Sequence, residues 1–389
     1  MLSGQTRRGA SAGAIVAISL SSLCLGLFLL LLLRMGGSLF PISAALALVT
    51  AVPMLAGVMA LDSLEPEPRY LLVATFLWGA GASIILSLIL EAIGEVSLVN
   101  LGGDPNFGTA AIVAPVVEES MKALAVFAIF WFRRNQLNGI TDGVVYAATS
   151  ALGFAAAENI EYYIGSAMDG GNVSLAITFV LRGVVSPFCH PVFTAMTGIA
   201  IALAVRRRDA GRVLLPIGGL LLAMLLHGMW NGLAVTLQLT GFLIGMLIMV
   251  SVLVAILIAL RRDRRNTIAQ IESYMEEYLP TGLVTESDLT MLSSMAMRKR
   301  ARDMARSTRG TTGLNAMRDY QLACTRLTML HDRVQLGLMT PYEFESQRWA
   351  LLTLMRFARE AFLGLDHHAT PMVAAPLVST GSTGDVQTT

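Results

Sequence analysis

The chain reads as an all-α, polytopic membrane protein of about eight transmembrane helices, followed by a small helical cytoplasmic C-terminal region. Three observations predict this. Of its 389 residues, 54% are hydrophobic and 14% charged, whereas soluble domains carry about a quarter charged residues. The mean hydropathy is +0.64. Apolar runs of about 17–25 residues, the length a bilayer crossing needs, recur near 13–33, 39–61, 70–92, 109–132, 143–164, 174–205, 213–236 and 240–260.

Arg7 and Arg8 precede the first run as they would a signal peptide. The run is too long for one, and no small-residue cleavage site follows before Arg34, so it reads as a retained anchor. The sixth run is longer than one crossing needs and contains Pro187, which predicts a kink or tilt there. Lys and Arg in the short loops set orientation. Arg7, Arg8, Arg69, Arg133, Arg134, Arg206, Arg207, Arg208, Arg212 and the RRDRR run at 261–265 fall on one side, and Arg34 alone on the other. That predicts a multi-pass plasma-membrane protein with both termini cytoplasmic and the loop "GEVSLVNLGGDPNFG" outside.

Beyond residue 260 charged and apolar residues mix at helical spacing. Thr285 with Asp288, and Thr340 with Glu343 after which Pro341 takes the first helical position, are capping signals. "TPYEFESQRWALLTLMRFAREAFLG" reads as one amphipathic helix ending at Gly364. The basic stretch "MRKRARDMARSTR" is a solvated helix face or a contact for anionic headgroups. Residues 367–389, rich in Thr, Ser, Gly and Pro, read as a disordered tail. Cys24, Cys189 and Cys324 are too far apart for a disulfide framework or a CxxC metal site. Nothing in the sequence matches a P-loop, a dinucleotide fingerprint or a nucleic-acid module, so the partners expected are the lipid bilayer and protein.

Chemistry must then come from polar residues inside the apolar runs. A charge at mid-membrane costs a few kcal/mol even on lenient scales. The fourth run nevertheless holds Glu118, Glu119 and Lys122, and the fifth Glu158, Asn159, Glu161 and Tyr162. The sixth holds Arg182, Ser186, His190 and Thr194, and the seventh His227 and Asn231. Runs one to three and eight carry essentially nothing ionisable at depth on this reading. Within each helix the polar residues recur three or four apart and share a face.

Depth gives a second test. Glu118 lies 15 positions before Arg133, Glu158 16 after Asp142, His190 16 before Arg206 and His227 15 after Arg212. At 1.5 Å per residue all sit roughly 21–24 Å above the cytoplasmic edge of a ~30 Å core. Two of these helices run up and two run down, so one layer in the outer half of the membrane collects carboxylates and imidazoles.

Those residue types suit hydrolysis. A carboxylate can act as general base while a histidine orients water or protonates the leaving amine. Alternatively His190, His227 and Glu158 hold a divalent metal such as zinc with an open position, although no HExxH helix is present. Asn231 and Arg182 are candidate donors to an oxyanion. Spacing pairs Glu118 with its i+4 neighbour Lys122 and leaves Glu119 as the base. Taken singly, Glu118 with Lys122 is equally well a structural ion pair, and His227 with Asn231 an interhelical hydrogen-bonding pair.

The order "PVVEESMK", "GFAAAENIEYY", "HPVFT" and "HGMWN" over residues 109–235 resembles the PrsW family of intramembrane proteases, relatives of the CAAX-prenyl endopeptidases and Abi membrane proteases. The resemblance implies a metalloprotease-like catalytic centre of Glu118, Glu119, His190 and His227, with Asn231 at the oxyanion. Glu158 and Asn159 match the family's second motif, and Lys122 and Arg182 support the site. It also implies cleavage of a membrane-anchored protein, anti-sigma-factor-like, on the outer side. The organisation expected is three helices over 1–108, a catalytic four-helix core over 109–236, a final helix with basic flank over 237–265, a cytoplasmic helical region over 266–366 and a tail over 367–389. A proton-coupled transporter is the competing reading of the same Glu, His and Arg cluster, but no internal repeat supports it. A third makes the membrane part a scaffold for the cytoplasmic helices.

Overall fold

The computed structural model describes residues 11–365. These are helical almost throughout, and no strand occurs among them. They divide between Arg264 and Arg265 into two compact units. Arg7, Arg8 and the tail over 367–389 lie outside the described residues.

The first unit opens with α1 (Ala12–Gly36) and α2 (Phe40–Leu61). α3 (Arg69–Leu77) passes through a π-turn at Trp78–Ser83 into α4 (Ile84–Asn100). The short α5 (Pro105–Gly108) passes through a second π-turn, Thr109–Val113, into α6 (Ala114–Phe132). α7 (Ile140–Thr178) leads through a third, Phe179–Val185, to α8 (Cys189–Val205), and α9 spans Gly211–Glu276.

Among the described residues, four helical stretches are long and apolar enough to cross a membrane: Ala12–Leu61, Arg69–Asn100, Ile140–Val205 and Gly211–Glu276. Three of them, of 50, 66 and 66 residues, far exceed the ~20 residues of one crossing, and each contains a sharp break. Backbone φ is positive at Gly37 (52°), Gly171 (64°) and Gln238 (50°). The chain turns back at the last two. The hydroxyls of Ser166 and Thr178 are 2.5 Å apart, and Trp230 lies 5.4 Å from Phe242 between ring centroids. Gln238 is the one non-glycine residue among those described with positive φ, a strained conformation for a side chain with a Cβ. The kink expected in the sixth run is a full interruption: the α-helical pattern stops at the third π-turn and resumes only at Cys189.

α7 is the central helix. Residues 142–160 are buried on nearly every side, as a helix packed all round must be, and α2, α3, α6 and α8 lie against it. Its small residues allow this. A Cβ at Gly198 would lie 2.1 Å from the Gly143 carbonyl oxygen, and one at Gly143 2.2 Å from that of Gly198. α1 and α9 instead turn many large apolar side chains outward, among them Leu23, Leu27, Leu221 and Leu225, as lipid-facing helices do.

The second unit contains α10 (Glu286–Leu292), α11 (Met295–Gln335) and α12 (Pro341–Leu363). Both capping boxes form: the Thr285 hydroxyl accepts from the Asp288 amide, and that of Thr340 from Glu343. α12 ends at Gly364 with φ of 77°, as its sequence predicts. α11 breaks at Arg309–Gly310 and folds back, so that Arg302 reaches Gln321 at 2.8 Å. Tyr320, Cys324, Leu327 and Met355 fill the core. His331 is buried there, its Nε2 2.8 Å from the Tyr278 hydroxyl, which also accepts from Arg348.

Two outcomes are expected. Gly198→Val should destabilise the first unit by on the order of 3 kcal/mol through overpacking, read as a lowered unfolding midpoint in detergent. Burial first, and the nearby Arg348 charge second, hold His331 down at about 4 from an ordinary 6.5. Between those values the unfolded chain binds the proton and the folded unit does not, so stability falls as pH is lowered through that window. His331→Phe should flatten this dependence, measured as protease resistance of residues 265–365 against pH.

Candidate active site

α6 supplies Glu118, Glu119 and Lys122; all are buried, and Lys122 has no exposure at all. The Lys122 ammonium has three N–H groups, and the structure uses all three. Nζ lies 2.7 Å from Glu118 Oε2, 3.0 Å from Glu119 Oε1 and 3.1 Å from His190 Nδ1. The Phe154 ring closes one side, its centroid 4.1 Å away. The Glu118–Lys122 pair read from spacing therefore forms, but Glu119 is not left free of Lys122. Lys122 bridges both glutamates.

The two glutamates differ in what else they bind. Glu119 is enclosed: Thr194 Oγ1 donates to its Oε2 at 2.7 Å, and His227 Nδ1 lies 3.1 Å from its Oε1. Glu118 accepts from Lys122 through Oε2, and its Oε1 has no partner among the described residues.

Donor logic assigns the imidazoles. An ammonium only donates, so His190 Nδ1 accepts and Nε2 carries the proton, given to Glu158 Oε2 at 3.1 Å. Both nitrogens of His190 are thus committed. His227 donates Nδ1–H to the Glu119 carboxylate, which leaves Nε2 with a lone pair and no partner among the described residues. His227 stacks on Phe193, with ring centroids 4.7 Å apart, and this fixes its plane.

Glu158 also pairs with Arg182, whose Nε donates to Asn159 Oδ1 at 2.9 Å while the guanidinium stacks on Tyr162. The expected helical face joining Arg182 to His190 does not exist, because the helix is interrupted between them. They meet through Glu158. Asn231 lies one turn beyond His227 on α9 and donates Nδ2–H to the Ala110 carbonyl at 3.0 Å, in the π-turn that leads into α6. One hydrogen-bonded network thus runs from Thr194 through Glu119, Lys122, His190 and Glu158 to Arg182 and Asn159, joining α6, α7, α8 and the third π-turn, with α9 attached through His227.

Glu118, Glu119, His190 and His227 each offer a ligand atom within 4.8 Å of the others, and by residue type and spacing this group could hold a metal ion. Glu158 of the expected triad is not in it, being turned to His190 and Arg182. The fit fails on one point: Lys122 already sits among three of the four donors.

Comparison with known proteins fits this geometry. Residues 67–258 match the family model described as PrsW family intramembrane metalloprotease. That stretch, just under half of the chain, is what resembles the PrsW family. Protease PrsW of Clostridioides difficile (strain 630) is 28% identical over 160 residues, 40% of this chain and 65% of the relative. That of Oceanobacillus iheyensis is 28% identical over 165 residues, covering 42% and 70%, and that of Bacillus subtilis (strain 168) 26% over 170, covering 44% and 72%. The match thus spans about two thirds of the relatives' length. No solved structure matches. The family that this region matches is one of intramembrane proteases, and the matched region contains every residue of the network.

Sequence reasoning passed over Glu91. The third run carries this ionisable residue at its outer end, and its charge interacts with Glu118 and Glu158. It is the only carboxylate between Arg69 and Glu95, but it lies 22 positions after Arg69, outside the layer that the depth test marks. Thr194 was visible only as part of a stripe; its bond to Glu119 depends on how α8 meets α6.

Arg182→Met leaves Glu158 buried with a single partner and is expected to destabilise the protein by on the order of 3 kcal/mol. Adding Glu158→Gln should recover part of that loss, read as a positive coupling in a double-mutant cycle of thermal unfolding.

Proposed function

We propose that the chain is an intramembrane endopeptidase that hydrolyses a peptide bond of a membrane-tethered protein, anti-sigma-factor-like, on the outer side of the membrane. Eight crossings with cytoplasmic termini are the topology that goes with this reading. The reversals at Gly171 and Gln238, with the break at Gly37, support it by dividing the three longest helical stretches into crossing-sized halves.

The observation that carries the chemistry is the pair of uncommitted acceptors, Glu118 Oε1 and His227 Nε2, on residues whose other polar atoms are already bound. The two residues each offer a ligand atom within 4.8 Å of the other's, and the proposal places one water between them, hydrogen-bonded to both. Glu118 takes the proton as the water oxygen attacks the scissile carbonyl carbon. The same proton then passes to the leaving amine as the C–N bond breaks, returning Glu118 to its starting state.

Glu119 holds His227 in the tautomer that keeps Nε2 open, and Thr194 and Lys122 hold Glu119. This is the base-and-orienter arrangement of covalent triads applied to a water nucleophile. His190 relays position between Lys122 and Glu158. Asn231, anchored at Ala110 by one amide hydrogen, offers the other to the oxyanion. A divalent metal such as zinc would serve as Lewis acid, but no step here is assigned to one while Lys122 holds its donors.

Glu118→Gln should lower cleavage of a tagged single-span substrate by about 10²–10⁴-fold with expression intact, and His227→Ala should do the same. Glu119→Gln should weaken both activity and folding, because it unmakes three contacts at once. Normal processing by a well-expressed Glu118→Gln variant would remove that residue from the base role. Normal processing alongside lost proton-driven uptake would favour a carrier.

A further inference from the structure

We infer that the Lys122 ammonium is the resident cation of the Glu118–Glu119–His190–His227 group: it keeps a divalent metal out of the wild-type protein, and its removal converts the group into a metal site. The inference deepens the proposed hydrolytic reading and uses the same donors, but its test does not depend on turnover.

The four donors look like a metal site because they surround a cation, and the cation is the ammonium. Nζ is 2.7–3.1 Å from one atom each of Glu118, Glu119 and His190. A zinc-like ion bonds such donors at about 2.0–2.2 Å, so an ion shared by the same three would come within about 2–3 Å of Nζ. Two like charges do not share a water-poor interior at that separation. Nor can Lys122 easily step aside. Its side chain is wholly buried, Phe154 covers the ammonium, and a displaced ammonium would have to regain three hydrogen bonds elsewhere.

His190 adds a second obstacle. A metal needs an imidazole lone pair, and the lone pair of His190 is the one that Lys122 binds, its other nitrogen being committed to Glu158. Most of the carboxylate charge is compensated without a metal as well. Glu118, Glu119 and Glu158 face Lys122 and Arg182, which leaves one carboxylate uncompensated. With Lys122 replaced by a neutral side chain of similar length, two carboxylates and two imidazoles would enclose an unfilled cation position. That is the donor set of a four-coordinate divalent site.

The test is metal content of full-length protein purified in detergent. Wild type and Lys122→Met are each exposed to Zn²⁺ or Co²⁺ and passed through gel filtration before elemental analysis, with Co²⁺ d–d absorption as a second readout. Wild type is expected to carry well under one equivalent, with an unfolding midpoint that neither metal nor chelator moves. Lys122→Met is expected to retain about one equivalent, to show a tetrahedral Co²⁺ spectrum and to gain thermal stability from metal.

Wild type holding a stoichiometric metal that chelator removes would overturn the inference, as would a folded Lys122→Met that binds none. Should Lys122→Met fail to fold, the wild-type arm decides alone, since it needs no variant. Metal-free wild type that cleaves a tethered substrate satisfies both readings. Metal-free wild type that never cleaves removes the protease reading only, and a metal-dependent protease removes this inference only.

Discussion

Everything in the first unit is arranged around one buried ammonium. Lys122 lies where water is scarce and charge is costly, and it persists because three hydrogen-bond acceptors meet it from two helices. Two of these are carboxylates that are themselves costly to bury. Each group compensates the other, and removing any one leaves a charge without a partner, which is far more destabilising than the intact set. The geometry of α6 against α8 follows from this requirement, since His190 must reach Lys122 while Thr194 reaches Glu119. Glu158 and Arg182 extend the same logic outward through the second nitrogen of His190.

This constraint separates residues that look alike in the sequence. Of two adjacent glutamates, one is saturated and the other keeps an open oxygen; of two histidines, one is committed at both nitrogens and the other at one. Reactivity follows from what is left unbound. In the proposed reaction, water chemistry falls to Glu118 and His227, while Glu119, His190 and Lys122 hold them in place. Two of the three π-turns serve the same end. Each is an extra residue in a helix, a feature that recurs at functional sites. One of them exposes the Ala110 carbonyl to Asn231, and another carries Arg182 into reach of Glu158.

Much of this was legible from residues alone. Three or four apart along a helix means one face, and equal distance from a charged end means equal depth, so the polar residues of four helices could be placed in one layer before any contact was known. The break at Pro187 and the caps at Thr285 and Thr340 were readable for the same reason: each depends only on local backbone chemistry. Glu91 was overlooked because it lies at the outer end of its run, where its i+4 neighbour Glu95 makes the pair read as part of the outer loop. Spacing could not show that Lys122 binds both glutamates, because i+4 spacing favours one pairing on an isolated helix, whereas Lys122 is long enough to reach Glu118, Glu119 and His190 together.

The amino-acid sequence by itself determined that this chain is helical and membrane-bound, which helices carry charge at depth, and which family it resembles. Hydrophobicity, periodicity and capping act over a few residues, so they survive without knowledge of the fold. The tertiary structure alone decided which atoms of those residues are bound and which are open. That depends on a few ångströms of separation between helices far apart in the chain, set here by glycine contacts between α7 and α8 and by an ammonium that binds three partners at once.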